Sequence, residues 1–218
     1  MSSDHGDYSG DYRMVEKWPA GLDDLMVNIP LIGRLPKSAV KNVHIRAPTQ
    51  SFDMFETILE SANITRTFVT FGVSLREQFM QGKEGDLSRN VFSEGGFHYT
   101  NVLFPCGSDH ICDPQNIYYP KNAEQIINNG TGCPRSVMIR NLEYKIVYRK
   151  SGFVSEFYDI GNDPTETHNL WNTKDATLLN IKSELLMNLT QWYLETADLV
   201  PILTDPRGFP GPSPAVSS

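Results

Sequence analysis

The chain is short of positive charge: 19 Lys and Arg stand against 26 Asp and Glu, a net charge of -7. A nucleic-acid binder needs a basic footprint to displace counterions, so this balance argues against that class. An anionic small substrate stays possible, provided its site carries a local cation. Long apolar runs are also missing. No stretch of about 18 apolar residues occurs, so no membrane span is expected. The first residues are polar and acidic, and no signal peptide is visible there. Cysteine is scarce, at Cys106, Cys112 and Cys133 only. Cys106 and Cys112 can close a short loop and leave Cys133 odd, or all three can be unrelated thiols. No internal repeat is found.

What remains is a globular composition of 218 residues with 39% hydrophobic content, enough to bury a core without staples. Residues 1–20 read as a strand end and a long loop, rich in Gly, Asp and Tyr. "LDDLM" reads as a helical turn, and "VNIPLIG" as a buried strand with Pro30 at its edge or start. "TQSFDMFETILESAN" carries Phe52, Phe55, Leu59 and Ala62 at helical spacing, with Thr49 as N-cap. "VSLREQFMQG" predicts a shorter helix ended by Gly82. "RNVFSEGG" reads as a strand ending in a glycine pair. Residues 97–135 are irregular. "SVMIR", "YKIVYR" and "SEFYDI" then predict an antiparallel meander. Residues 175–196 form a helix with Leu178, Ile181, Leu185, Leu189 and Trp192 on one face, laid on the meander. The Pro/Gly/Ser-rich tail after residue 200 reads as loose.

Several residues can carry chemistry. In "SSDHG" a strand runs into Asp4 and His5, two metal-capable side chains at the strand end where ligand sites of α/β folds cluster. A carboxylate oxygen suits Ca²⁺ or Mg²⁺, and an imidazole suits Mn²⁺ or Zn²⁺. The bland alternative is a solvated polar start. Lys17 can fold back over an anion and supply charge to a leaving oxygen, or lie on the surface as most lysines do. His98, after the glycine pair, can reach a cleft or stay at the surface. Cys133 beside Arg135 has no nearby base to activate it, and the thiols around His110 fit no common zinc spacing. Sequons stand at Asn63, Asn129 and Asn188, the last on the apolar edge of the final helix, where a glycan fits badly.

The order of these pieces resembles the later part of the sulfatase catalytic domain. "SSDHGDYSGDYRMVEKWPAGLDDLMVNIPLIGRLP" is similar to that family's strand ending in Asp-His-Gly or Asp-Asn-Gly, its lysine-bearing loop and its following strand. "QSFDMFETILESANI" and "GVSLREQFMQG…RNVFSEGG" resemble the next stretch. "MIRNLEYKIVYR" with "EFYDIGNDPTETHNLW", and then "WYLETADLVPILTDPRGFP", resemble the end of the family's fold. The resemblance implies an α/β fold: a partial alkaline-phosphatase-like sulfatase core over residues 1–96, an irregular insert over 97–135, a small α+β subdomain of antiparallel sheet and long helix over 136–200, and a tail over 201–218.

It also implies a metal-dependent sulfuric ester hydrolase. Asp4 and His5 match two of the metal ligands, with Ca²⁺ the expected cation. Lys17 matches the lysine that contacts the sulfate or the departing oxygen, and the substrate would be a sulfated small molecule or glycan. For the longer parent it favours a secretory or lysosomal location. The family's nucleophile, a formylglycine made from Cys/Ser-x-Pro/Ala-x-Arg, has no counterpart here, because that motif is absent from the sequence. The paired aspartates that open family members are absent too. The chain is therefore expected to be a C-terminal portion of such an enzyme, inactive alone, with the formylglycine in an upstream part. Two alternatives stand beside this: a phosphonate or phosphodiester hydrolase of the same superfamily, and a non-catalytic truncated product acting as a binding module.

Overall fold

The structure, a computed structural model, describes residues 1–13, 17, 21–38, 40–66, 68–96, 135–150 and 154–197. The chain divides into two compact units, Met1–Ile32 with Phe92–Ser183 and Gly33–Val91 with Glu184–Ser218.

The first unit is built on a four-stranded sheet in chain order: β1 (Val91–Gly95), β2 (Ser136–Arg140), β3 (Tyr144–Arg149) and β4 (Glu156–Asp159). The meander is as the alternation predicts: β2 pairs antiparallel with β3 and β3 with β4. β1, the strand read from "RNVFSEGG", joins the same sheet beside β2. Asn141 sets the β2–β3 turn. Its side-chain oxygen accepts the backbone N–H groups of Glu143 and Tyr144 at 2.9 and 2.8 Å, which is the way Asn imitates a backbone turn.

Register decides which residues share a face, because side chains alternate along a strand. Ile139, Ile146 and Phe157 lie opposite one another, all fully buried. On the other face Met138 opposes Val147, and Arg140 opposes Lys145, which in turn opposes Tyr158. Met138 and Val147 pack with Leu22, and Val27 lies against that cluster. Leu22 and Val27 flank or belong to the short helix α1 (Asp24–Val27). The face of the sheet that carries charge thus looks toward the N-terminal segment.

The N-terminal segment is held to α1 by close backbone contact. The Gly6 N–H donates to the Met26 carbonyl at 2.9 Å. A Cβ at Gly6 would stand 1.7 Å from the Leu25 carbonyl oxygen, so only glycine fits. "VNIPLIG" does not form a strand. It contributes a single antiparallel bridge, Leu31 to Ser2, since Pro30 withholds a ladder donor.

The second unit holds α2 (Asp53–Ser61) and α3 (Arg76–Gln81). Phe52, not Thr49, occupies the N-cap position of α2. Of the apolar residues read at helical spacing, Phe52 and Phe55 are 40% and 46% exposed and Leu59 is half-buried, and Ile58 beside them is 58% exposed, whereas Asp53 and Thr57 are buried. Polar bonds explain the inversion. Asp53 accepts the N–H groups of Gln50 and Val73 and pairs with both ends of the Arg89 guanidinium at 2.6 and 2.9 Å. Thr57 donates to the Asp53 carbonyl and accepts the Leu75 N–H. Gly82 ends α3 in the left-handed region at φ 68°, as expected.

The last helix, α4 (Ala176–Thr196), matches its 3.6-residue pattern, with Leu185 and Leu189 buried. Its first half meets the sheet through Trp171. Lys182 donates to the Trp171 carbonyl at 2.7 Å and lies 4.9 Å above its ring, while Trp171 in turn contacts Tyr148 of β3. No helix among the described residues is long and apolar enough to cross a membrane.

Candidate functional site

Asp4 and His5 stand side by side just before the point where Gly6 meets α1. Asp4 is exposed and His5 half-buried. The His5 Nδ1 lies 2.7 Å from the Gly6 carbonyl oxygen. A carbonyl only accepts, so Nδ1 carries the proton and a neutral His5 presents Nε2 as a lone pair. That Nε2 lies 3.4 Å from Asp4 Oδ2. A carboxylate oxygen and an imidazole lone pair at this separation can share one cation. The carbonyl behind Nδ1 is the kind of outer partner that fixes a ligating imidazole. Hydrogen bonds from the backbone N–H groups of Asp4 and His5 hold the Asp4 carboxyl below its usual value.

Two donors do not complete a metal centre. Among the described residues no group of three or more His, Cys, Asp or Glu side chains is placed to hold a metal ion, and Ca²⁺ takes about six to eight oxygens. The pair fits as part of a coordination shell and not as the whole of one.

Lys17 is exposed. Its charge contributes to lowering Asp4, as the smallest of the named causes. Asn63 is exposed directly after α2, at φ 54° in the left-handed region that Asn tolerates. Asn188 is half-buried in α4 beside buried Leu189. His98, Cys106, Cys112, Asn129 and Cys133 lie outside the described residues.

Around the start of α1 lies a buried network that the sequence did not announce. Tyr8 is 1% exposed and donates its hydroxyl to Asp23. Burial first, and then the hydrogen bond to Asp23, push the Tyr8 phenol far up, so it stays a donor. Lys145 is fully buried, 2.6 Å from Glu166 Oε1 and 3.1 Å from Asp24 Oδ1. Arg140 grips both Asp24 oxygens at 3.0 and 2.9 Å. Burial pushes the Asp24 carboxyl up, but Lys145 and Arg140 together outweigh it and hold the group below its ordinary value. At Glu166 burial outweighs the opposing charge of Lys145, and the carboxyl is pushed up to about 7. A lysine inside the apolar strand "YKIVYR" was the available signal, since a buried Lys requires partners.

No family model and no curated protein matches the chain. Solved structures do. A 2-O GAG sulfatase is 25% identical and superposes with a TM-score of 0.66 over 96% of this chain and 40% of its own. A structure in complex with its substrate D-glucosamine-2-N,6-O-disulfate is 18% identical, with a TM-score of 0.65 over 92% of this chain and 34% of its own. The phosphonate monoester hydrolase of Silicibacter pomeroyi is 20% identical, with a TM-score of 0.69 over 95% of this chain and 37% of its own. The chain thus spans about 40% or less of the length of these structures. These likenesses show a fold shared with sulfatases and a phosphonate monoester hydrolase, and the coverage is consistent with a C-terminal portion of such a structure.

Proposed function

We propose that the chain is part of a metal-dependent hydrolase that cleaves sulfate esters, with Asp4 and His5 as two ligands of a divalent cation and Lys17 as a cation for the substrate. The observation that carries this reading is the likeness to a 2-O GAG sulfatase over 96% of the chain. The His5 lone pair beside the anionic Asp4 carboxylate supports the ligand assignment. A bound divalent cation would stabilise negative charge on the sulfuryl oxygens. The chain's own residues would do the rest. Asp4 and His5 would hold the cation, Gly6 would keep them tied to α1, and Lys17 would offer its ammonium to the leaving oxygen. The nucleophile is proposed to lie in a part of the parent not represented here, because no Cys/Ser-x-Pro/Ala-x-Arg run occurs in the sequence. A sulfated sugar is the favoured substrate class.

A second reading, hydrolysis of a phosphonate monoester or phosphodiester, is favoured by the likeness to the Silicibacter enzyme. The deciding experiment is to sequence the transcript upstream of Met1 and assay its full product. An in-frame formylglycine motif, with turnover of an aryl sulfate that is lost in Asp4→Ala, supports the first reading. Preference for an aryl phosphonate ester supports the second. An upstream stop codon, or full activity in Asp4→Ala, overturns both.

A further inference from the structure

We propose that Lys145, Glu166 and Arg140 are positioning residues for the Asp4–His5 pair, acting through helix α1. The inference rests on reading that pair as metal ligands. It starts from a cost. Lys145 buries its ammonium completely, and Glu166 buries its carboxylate to 1% exposure. Buried ion pairs commonly add little net stability over an apolar core of the same volume, and a role in specifying geometry is the alternative reason to keep one. Glu166 also sits at φ 52°, a strained value for a non-glycine residue that the surroundings must enforce.

What the cluster specifies is visible in its bonds. Both Glu166 oxygens accept the backbone N–H of Asp24, the first residue of α1, at 3.2 and 3.3 Å. Lys145 and Arg140 hold the Asp24 side chain from β3 and β2. The start of α1 is therefore fixed by two sheet residues and a residue of the segment after β4, all far away in sequence. From α1 two bonds run back to the N-terminal segment, Met26 to Gly6 and Asp23 to Tyr8. A third tie reaches the same segment from beside Glu166, where the Thr165 carbonyl accepts the Tyr12 hydroxyl. Asp4 and His5 precede Gly6 directly. None of the three positioning residues touches the pair; the path runs by hydrogen bonds to Asp24, along the chain to Asp23 and Met26, by hydrogen bonds to Tyr8 and Gly6, and along the backbone to His5 and Asp4. The cluster would then hold the two ligands still without supplying one itself.

The test uses the full 218-residue chain. Lys145→Met and Glu166→Gln are compared with Arg89→Met, which breaks the buried Asp53–Arg89 pair of the other unit. Residue-resolved amide exchange is read at Gly6 and Asp11, whose N–H groups are bonded to Met26 and Tyr8. Mn²⁺-induced broadening of the His5 resonances gives the second readout. In Lys145→Met, exchange at Gly6 and Asp11 should rise about tenfold or more while Ile139 and Ile146 keep their protection. His5 broadening at fixed Mn²⁺ should fall. Glu166→Gln keeps an acceptor for the Asp24 N–H and should show the same pattern more weakly. Arg89→Met should leave both readouts as in the wild type. Unchanged exchange at Gly6 and Asp11, or a uniform loosening that spreads equally over the sheet, overturns the proposal. If Lys145→Met does not fold, Glu166→Gln decides by the same criteria. If wild-type His5 shows no Mn²⁺ broadening, as an incomplete shell allows, exchange at Gly6 and Asp11 alone decides whether the cluster fixes the segment.

Discussion

The sheet of the first unit and helix α2 of the second bury opposite kinds of residue. In the sheet the apolar positions go inward, and Ile139, Ile146 and Phe157 are fully buried. In α2 Phe55 and Ile58 face outward, and the helix is anchored by Asp53 and Thr57. An amphipathic pattern shows that a helix has two faces. It does not say which one this chain covers. A strand in a meander is less ambiguous, because pairing to its neighbours fixes the register and a slip of one residue would turn its whole apolar set to water.

Deletions at matched positions would sharpen this contrast. The largest loss is expected for Asp53→Ala. It strands the half-buried Arg89 and two backbone donors, at a cost of about 3–5 kcal/mol in denaturant titration. A loss below about 1 kcal/mol would mean that α2 is held by its apolar side after all. Ile146→Ala removes a fully buried side chain from the sheet and should cost about 2–5 kcal/mol. Gly82→Ala forces a side chain onto φ 68° and toward Val40 and Val43, and should cost about 1 kcal/mol. Ile58→Ala should change stability by no more than about 0.5 kcal/mol, because Ile58 is 58% exposed. If Ile58→Ala matched Ile146→Ala, the distinction between the two regions would collapse.

The buried charges give a pH test with a definite sign. Glu166 is raised from 4.5 to about 7. The folded state therefore keeps a proton that the unfolded chain releases at lower pH. This group contributes most below its unfolded value, and the contribution is lost as pH rises through about 7. Asp24 runs the other way, but its contribution is lost only as pH falls below its ordinary 3.8. Tyr12 is pushed up to about 12, first by burial and then by Glu166. Among the shifted groups of the described residues, Glu166 is the one in the window between pH 8 and pH 5. The wild type should gain more in melting temperature on acidification than Glu166→Gln, whose amide does not titrate. Equal gains would show that Glu166 is not held protonated.

Much of the first unit could be read from local pattern. "SVMIR", "YKIVYR" and "SEFYDI" alternate and are separated by turn residues, and they form β2, β3 and β4. The helix over 175–196 declared itself by spacing and is observed at Ala176–Thr196. Asp4 and His5 could be picked out as a chemical dipeptide, but their geometry could not. The Gly6 carbonyl meets Nδ1 and so frees Nε2, and a conformation this local is set by the backbone around Gly6, which the fold ties to Met26. Strand "VNIPLIG" failed because an apolar run with one proline does not reveal whether a partner strand exists.

The sequence by itself determined where the chain turns, caps and alternates, because those preferences act over a few residues. Asn141 makes its turn and Gly82 ends its helix whatever surrounds them. Tertiary structure alone decided the fate of charge. Lys145 is a surface residue by composition and a core residue in fact, because Asp24 and Glu166 arrive from 121 and 21 residues away to pair with it. Asp53 turns α2 inside out through Arg89, 36 residues on. A charge is buried only when its partner is there to meet it, and no window of local sequence contains that partner.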